Sequence, residues 1–129
     1  MAIAIEYRRL GRLPTCIGNE RIRVTADGQV AHSRNVVECA EGQAWSADWT
    51  TSGRLDAPAL AALEQDIRGS GLLQMAPQSI DDTAEGGVRE ELDVTLDERD
   101  YHWVVENVPA PALRAVVARL RGVVRSTTR

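Results

Sequence analysis

The sequence predicts an α+β fold: an antiparallel sheet of four to five strands with two helices packed on one face. Three observations predict it. Val88, Glu90, Leu92, Val94 and Leu96 share one parity and are apolar apart from Glu90, while Arg89, Glu91, Asp93, Thr95 and Asp97 are polar. Strict alternation of this kind marks a strand with one dry and one wet face. Tyr101, Trp103 and Val105 repeat it after a short polar break, which makes a hairpin. Leu113, Val116, Val117, Leu120 and Val124 then recur at helical spacing, as do Leu60, Leu63 and Ile67. Every predicted strand has one apolar parity, so the helices should cover one face and water the other.

The first strand is read from Ile3, Ile5 and Tyr7, alternating with Ala4, Glu6 and Arg8. Residues 10–15, which contain Gly11 and Pro14, break the pattern and are predicted to form a loop. A second strand runs through Arg21, Ile22, Arg23, Val24 and Thr25. Asp27-Gly28 is a strong turn signal. A three-residue loop, Ala26-Asp27-Gly28 with Gly28 left-handed, pairs Val24 with Val30 and Ile22 with His32. It buries more than a two-residue loop would. Segment 36–52 alternates poorly; a short fourth strand is read at 44–51, with Trp45, Ala47 and Trp49 on one side.

Asp56 is a good N-cap, and Pro58 sits in the first turn, where a missing N–H is tolerated. Gly69 or Gly71 should stop that helix, with Leu72, Leu73 and Met75 dropping into the core. Residues 77–87 read as a polar loop. The hairpin is expected to turn over Glu98-Arg99, pairing Leu96 with Tyr101, Val94 with Trp103 and Leu92 with Val105. Pro109 and Pro111 open the last helix. Its Arg114, Arg121 and Arg125 form a stripe assigned to solubility and the helix dipole, and the tail 126–129 is expected to fray.

A chain of 129 residues is long enough for one core and short for two, so it reads as a single domain, 1–129. All 15 cationic side chains are arginine, and the net charge is −4. That balance disfavours nucleic acid or an anionic membrane as partner. No apolar run approaches the length of a membrane span, and the first residues lack a signal-peptide pattern, so a cytoplasmic location is expected. Cys16 and Cys39 are then expected as thiols, with a single bridge left open.

Chemistry-bearing motifs are sparse. His32 and His102 are the only histidines; parity puts His102 on the wet face and His32 opposite Ile22. With the two cysteines they lack the short spacing of a structural zinc site. Nucleophile elbow, Walker loop and dinucleotide fingerprint are all missing. No nucleophile, base and orienting group can be assembled, so a catalytic role, a metal and a cofactor are not expected. Trp45 and Trp49 have no clear core assignment, and tryptophan is enriched at the centres of interfaces.

The order of motifs carries more than any one of them. Glu6-Tyr7-Arg8-Arg9 precedes a Gly-containing loop, and Asp27-Gly28-Gln29-Val30 forms a turn. Asp56-Ala57-Pro58-Ala59-Leu60 opens a helix that runs to Gly71-Leu72-Leu73 and then Pro77. Glu91-Leu92-Asp93-Val94-Thr95-Leu96 pairs with Tyr101-His102-Trp103-Val104-Val105, and Val108-Pro109-Ala110-Pro111-Ala112-Leu113-Arg114 closes the succession. Over roughly two-thirds of the chain this resembles the emfourin-like family, small cytoplasmic bacterial proteins whose named member inhibits thermolysin-like metallopeptidases. The chain departs from the family at 10–13, where a Gly-Gly-Phe-like loop is usual, and at Leu72 and Leu73, where aromatic residues are common.

The resemblance implies a protein inhibitor or regulator of a thermolysin-like zinc metallopeptidase, acting through a preformed loop surface without catalysis. Leu10, Arg12 and Leu13 are the candidate presented loop, and Trp45 and Trp49 a second patch. Thermolysin-like clefts favour a bulky apolar side chain, which the resemblance would assign to Leu10 or Leu13. The alternative is a non-enzymatic interaction module with an unrelated protein partner, possibly a homodimer joined through a strand edge or the Trp45–Trp49 segment.

Overall fold

Strand β1 (Ile3–Gly11) lies at the middle of a seven-stranded sheet in a computed structural model that describes residues 3–11, 20–34, 50–81 and 88–127. The other strands are β2 (Glu20–Val24), β3 (Gln29–Arg34), β4 (Thr50–Arg54), β5 (Gln78–Ile80), β6 (Val88–Leu96) and β7 (Arg99–Glu106). Their order is β4-β3-β2-β1-β6-β7-β5, antiparallel throughout except for β5, which runs parallel to β7. Two helices, α1 (Ala57–Gly69) and α2 (Pro111–Thr127), complete the fold. The α+β class therefore holds, with more strands than the four or five expected. Of the short fourth strand read at 44–51, residues 44–49 lie outside the described residues, while Thr50 and Thr51 begin β4; β5 occupies the stretch read as a polar loop, since three residues bearing Gln and Ser give no alternation to detect.

Alternation became burial. Ile3, Ile5, Tyr7, Ile22, Val24, Val30, Leu92, Val94, Leu96, Trp103 and Val105 join Leu63 and Ile67 of α1 and six residues of α2 in one apolar cluster. Both helices thus cover one face. The other carries a lattice of ion pairs: Arg8 reaches Glu6, Glu91 and Asp93, Arg23 reaches Glu6, and His102 Nδ1 lies 2.5 Å from Asp93 Oδ1. These pairs, most of them part-buried, keep the solvent-facing side hydrophilic.

The β2–β3 turn takes the three-residue form. Val24 faces Val30, Ile22 faces His32, and Gly28 has φ +91°. Glycine is required there twice over, because a Cβ would also stand 2.3 Å from the Leu55 carbonyl oxygen. Helix α1 begins as expected, with the Asp56 carboxylate accepting from the Ala59 N–H at 2.9 Å. It ends where the Ser70 hydroxyl donates to the Ile67 carbonyl at 2.7 Å and Gly71 turns left-handed.

The β6–β7 hairpin has the expected faces but a register shifted by two. It turns over Asp97 and Glu98, both at positive φ, so Leu96 faces Arg99, Val94 faces Tyr101 and Leu92 faces Trp103. Two left-handed central residues match the twist of the flanking strands, whereas a Glu98-Arg99 turn would need a left-handed arginine. Asp tolerates that conformation, and Arg68 holds the Asp97 carboxylate at 3.0 Å. The shift preserves parity but sets Glu90 opposite Val105.

Helix α2 runs over the sheet from Glu90 of β6, past Glu20 of β2, to Ser52 of β4. The expected fraying of 126–129 does not extend to Ser126 and Thr127, which are helical; the Thr127 hydroxyl lies 3.1 Å from that of Ser52. A Cβ on Gly53 would meet the Thr127 carbonyl at 2.6 Å, so helix and strand approach backbone to backbone.

Candidate functional site

Three connections, 12–19, 35–49 and 82–87, are bracketed by residues at one end of the sheet. Gly11 faces Val88, Glu20 faces both Arg9 and Arg34, Thr50 faces His32, and Ile80 faces Glu106, which in turn faces Arg89. The opposite end carries the tight turns at 25–28 and 97–98. Of the candidate partner-binding residues, Arg12, Leu13, Trp45 and Trp49 fall within these connections and lie outside the described residues. Leu10 does not belong to a loop. It is the penultimate residue of β1, paired with Arg89 and only 8% exposed, because β1 continues along β6 as far as Val88.

Just inside that end, the dry face of the sheet carries a polar row. Glu20, Arg9 and Glu90 sit side by side on β2, β1 and β6, on the same parity as the core residues Ile22, Tyr7 and Leu92. Two carboxylates at a buried face need cations, and α2 supplies them. Arg114 pairs with Glu90, and Arg121 donates to Glu20 Oε1 from Nε at 3.1 Å and Nη2 at 2.9 Å. The spacing explains the match: seven helical residues advance about 10.5 Å, and two strand intervals span about 9.6 Å. The arginines assigned to solubility are thus partners of buried acids, Arg114 and Arg121 alike.

The two glutamates are satisfied differently. Glu20 engages both oxygens, since His32 Nε2 lies 3.1 Å from Oε2. Glu90 Oε2 accepts from both the Tyr7 hydroxyl, at 2.6 Å, and Arg114. Burial, reinforced by the Glu90 charge, pushes the Tyr7 hydroxyl well above the usual phenol range. At Glu20 burial works to raise the carboxyl, but hydrogen bonds from His32 and Arg121 outweigh it and hold the group below the usual carboxylate value.

A depressed folded pKa means that Glu20 contributes stability above its ordinary value of about 4.3, and that this is lost as pH falls through the folded value. Urea midpoints followed downward from neutral pH should therefore drop below about pH 4.3, and less steeply in Glu20→Gln. Asp27, held low by Thr25 and then by Arg54, titrates in the same window and remains in the variant. Its profile should be shallower, not flat.

Beside Glu90 a cleft of about 490 Å³ opens between β1, β6 and the start of α2. Val88, Val105, Val108 and Pro109 form its apolar wall, and Arg9, Glu90, Asn107 and Arg114 its polar side. The histidines do not converge: His32 is on the helix-covered face and His102 on the wet one. Among the described residues no group of three or more His, Cys, Asp or Glu could hold a metal ion, and no helix is long and apolar enough to cross a membrane.

The row was signposted, though sequence reasoning passed over it. Glu90 is the one polar residue on its parity, Arg9 continues the run Ile3-Ile5-Tyr7, and Glu20 precedes Ile22 and Val24 on theirs. Polar residues on a dry parity call for partners, and Arg114 and Arg121 stand two helical turns apart. The geometry defines an α+β domain with two helices on one sheet face and an ion-paired end that holds the described residues flanking 12–19, 35–49 and 82–87. Compared with family models and with curated proteins, the chain matches none.

Proposed function

We propose that this chain is a non-catalytic scaffold that inhibits a thermolysin-like zinc metallopeptidase, binding through the connections gathered at one end of the sheet. The convergence of those connections carries the reading, and the resemblance to the emfourin-like family supplies the kind of partner. An inhibitor of this type gains affinity when its presenting surface is fixed before binding. A row of buried ion pairs anchored by α2 supplies such a base at the roots of 12–19 and 35–49. Leu13 and Arg12 are the presented residues, with Trp45 and Trp49 on the neighbouring connection; Leu10 serves as a buried root.

Incubation with several thermolysin-like peptidases, followed by substrate cleavage, tests the reading. Inhibition should saturate near one equivalent, and Leu13→Ala should weaken it by roughly 30-fold, the scale of an interface hot spot. Full peptidase activity at large molar excess across the set would overturn it. The outer edge of β4, which has β3 as its one neighbouring strand among the described residues, favours the second reading, a homodimer joined edge to edge. A mass that rises with concentration in sedimentation would support that reading.

A further inference from the structure

The cleft beside Glu90 has polar groups that the fold leaves in reserve. Glu90 is 6% exposed, yet only Oε2 accepts hydrogen bonds; Oε1 has no donor among the described residues. Arg114 is nearly half exposed, and on its buried side its guanidinium meets Glu90 and the Tyr7 hydroxyl. A guanidinium has five N–H donors in a fixed fork. An acceptor without a donor therefore stands beside a partly exposed guanidinium, next to an apolar wall, in a space within the usual range for small-ligand sites.

The charges select the ligand. An anion attracted to Arg114 and Arg9 would face the bare oxygen of Glu90. A cation attracted to Glu90 would face both arginines. A neutral group with one donor and one acceptor meets neither penalty. We propose that this cleft binds a neutral amide, its N–H donating to Glu90 Oε1 and its C=O accepting from Arg114, with an attached apolar group against Val88, Val105 and Val108. Such a pair occurs in a primary amide and in the N–H and C=O of one residue of an extended peptide, which point the same way.

The cleft does not depend on peptidase inhibition, so either reading can fail while the other stands. The full chain is titrated with N-acetyl-leucinamide, N-acetyl-leucine and leucinamide, at a pH where the acid is ionised and the amine protonated, while backbone amides are followed by NMR. N-Acetyl-leucinamide should shift Val88, Val105, Asn107 and Val108 saturably. The two charged probes should bind about tenfold more weakly or worse, the scale of one lost hydrogen bond. Arg114→Gln should weaken the amide by a similar factor with the rest of the spectrum intact. If that variant does not fold, the ranking of the three probes on the native chain still decides. Absence of saturable shifts, shifts centred elsewhere, or a charged probe binding as tightly as the amide would overturn the proposal. N-Acetyl-leucine N-methylamide, which has both flanking amides of one residue but no primary amide, and propionamide, which has the primary amide alone, distinguish the peptide from the primary-amide form.

Discussion

Replacing Trp103 by alanine should lower stability by about 3–5 kcal/mol, the range for truncating a buried large aromatic. Trp103 is 3% exposed, faces Leu92 across the hairpin and stacks on Tyr101 with ring centroids 5.7 Å apart. Its indole N–H also donates to the Met75 carbonyl at 3.2 Å, which ties the segment after α1 to the sheet. The neighbouring Val104 N–H holds the Pro77 carbonyl at 2.9 Å, at the start of β5. Truncation therefore removes apolar area, leaves a cavity and loosens the anchor of the β5 edge together. A fall of roughly 10–20 °C in melting midpoint by circular dichroism is expected for a chain of this size. Trp103→Phe keeps most of the area and leaves the Met75 carbonyl without its donor, so about 1–2 kcal/mol is expected. A loss below about 1 kcal/mol for the alanine variant would mean that the indole is not a core element.

The same residue shows what was legible in the sequence. Its burial followed from parity alone, because any register that preserved parity kept Trp103 beside Leu92, Val94 and Tyr101. The pairing partner was not legible to that accuracy. A two-residue shift leaves every face unchanged, and only the left-handed pair Asp97-Glu98 distinguishes the registers. Short edges were harder still. β5 has three residues and a parallel partner, and neither hairpin chemistry nor alternation operates on it. Local signals with their own chemistry carried through: Asp56 caps its helix, and Asp27-Gly28 makes its bulged turn.

The polar row was missed for a different reason. Each member departs from its own strand's pattern by a single residue, and a single departure reads as tolerance. Only the third dimension shows that Glu20, Arg9 and Glu90 depart at the same level of adjacent strands, under two arginines on one helix. The candidate loop residues raise the opposite case. Leu10 lies in the stretch 10–15 that breaks the alternation and so reads as a loop, yet a lapse of pattern at a strand end does not stop pairing with β6.

A pair of substitutions separates the structural part of that row from any binding part. Tyr7→Phe removes the hydroxyl that donates to Glu90 at 2.6 Å and should cost about 1.5–3 kcal/mol, as for a hydrogen bond to a charged group. Glu90→Leu leaves the Tyr7 hydroxyl buried without its acceptor and should cost about 1–3 kcal/mol. Arg114, nearly half exposed, can turn to water in that variant. The double variant strands neither group, because phenylalanine and leucine share an apolar floor. Its stability should therefore lie well above the sum of the single losses and near that of the parent, as when buried ion pairs are replaced by apolar side chains of similar volume. Additive losses in urea titrations would show that the hydroxyl and carboxylate are not coupled. The restored double variant would fold with both arginines still in the sequence but without the Glu90 acceptor that the amide N–H requires. Amide binding in the cleft should then be lost from a protein as stable as the parent, an outcome that a purely structural row would not produce.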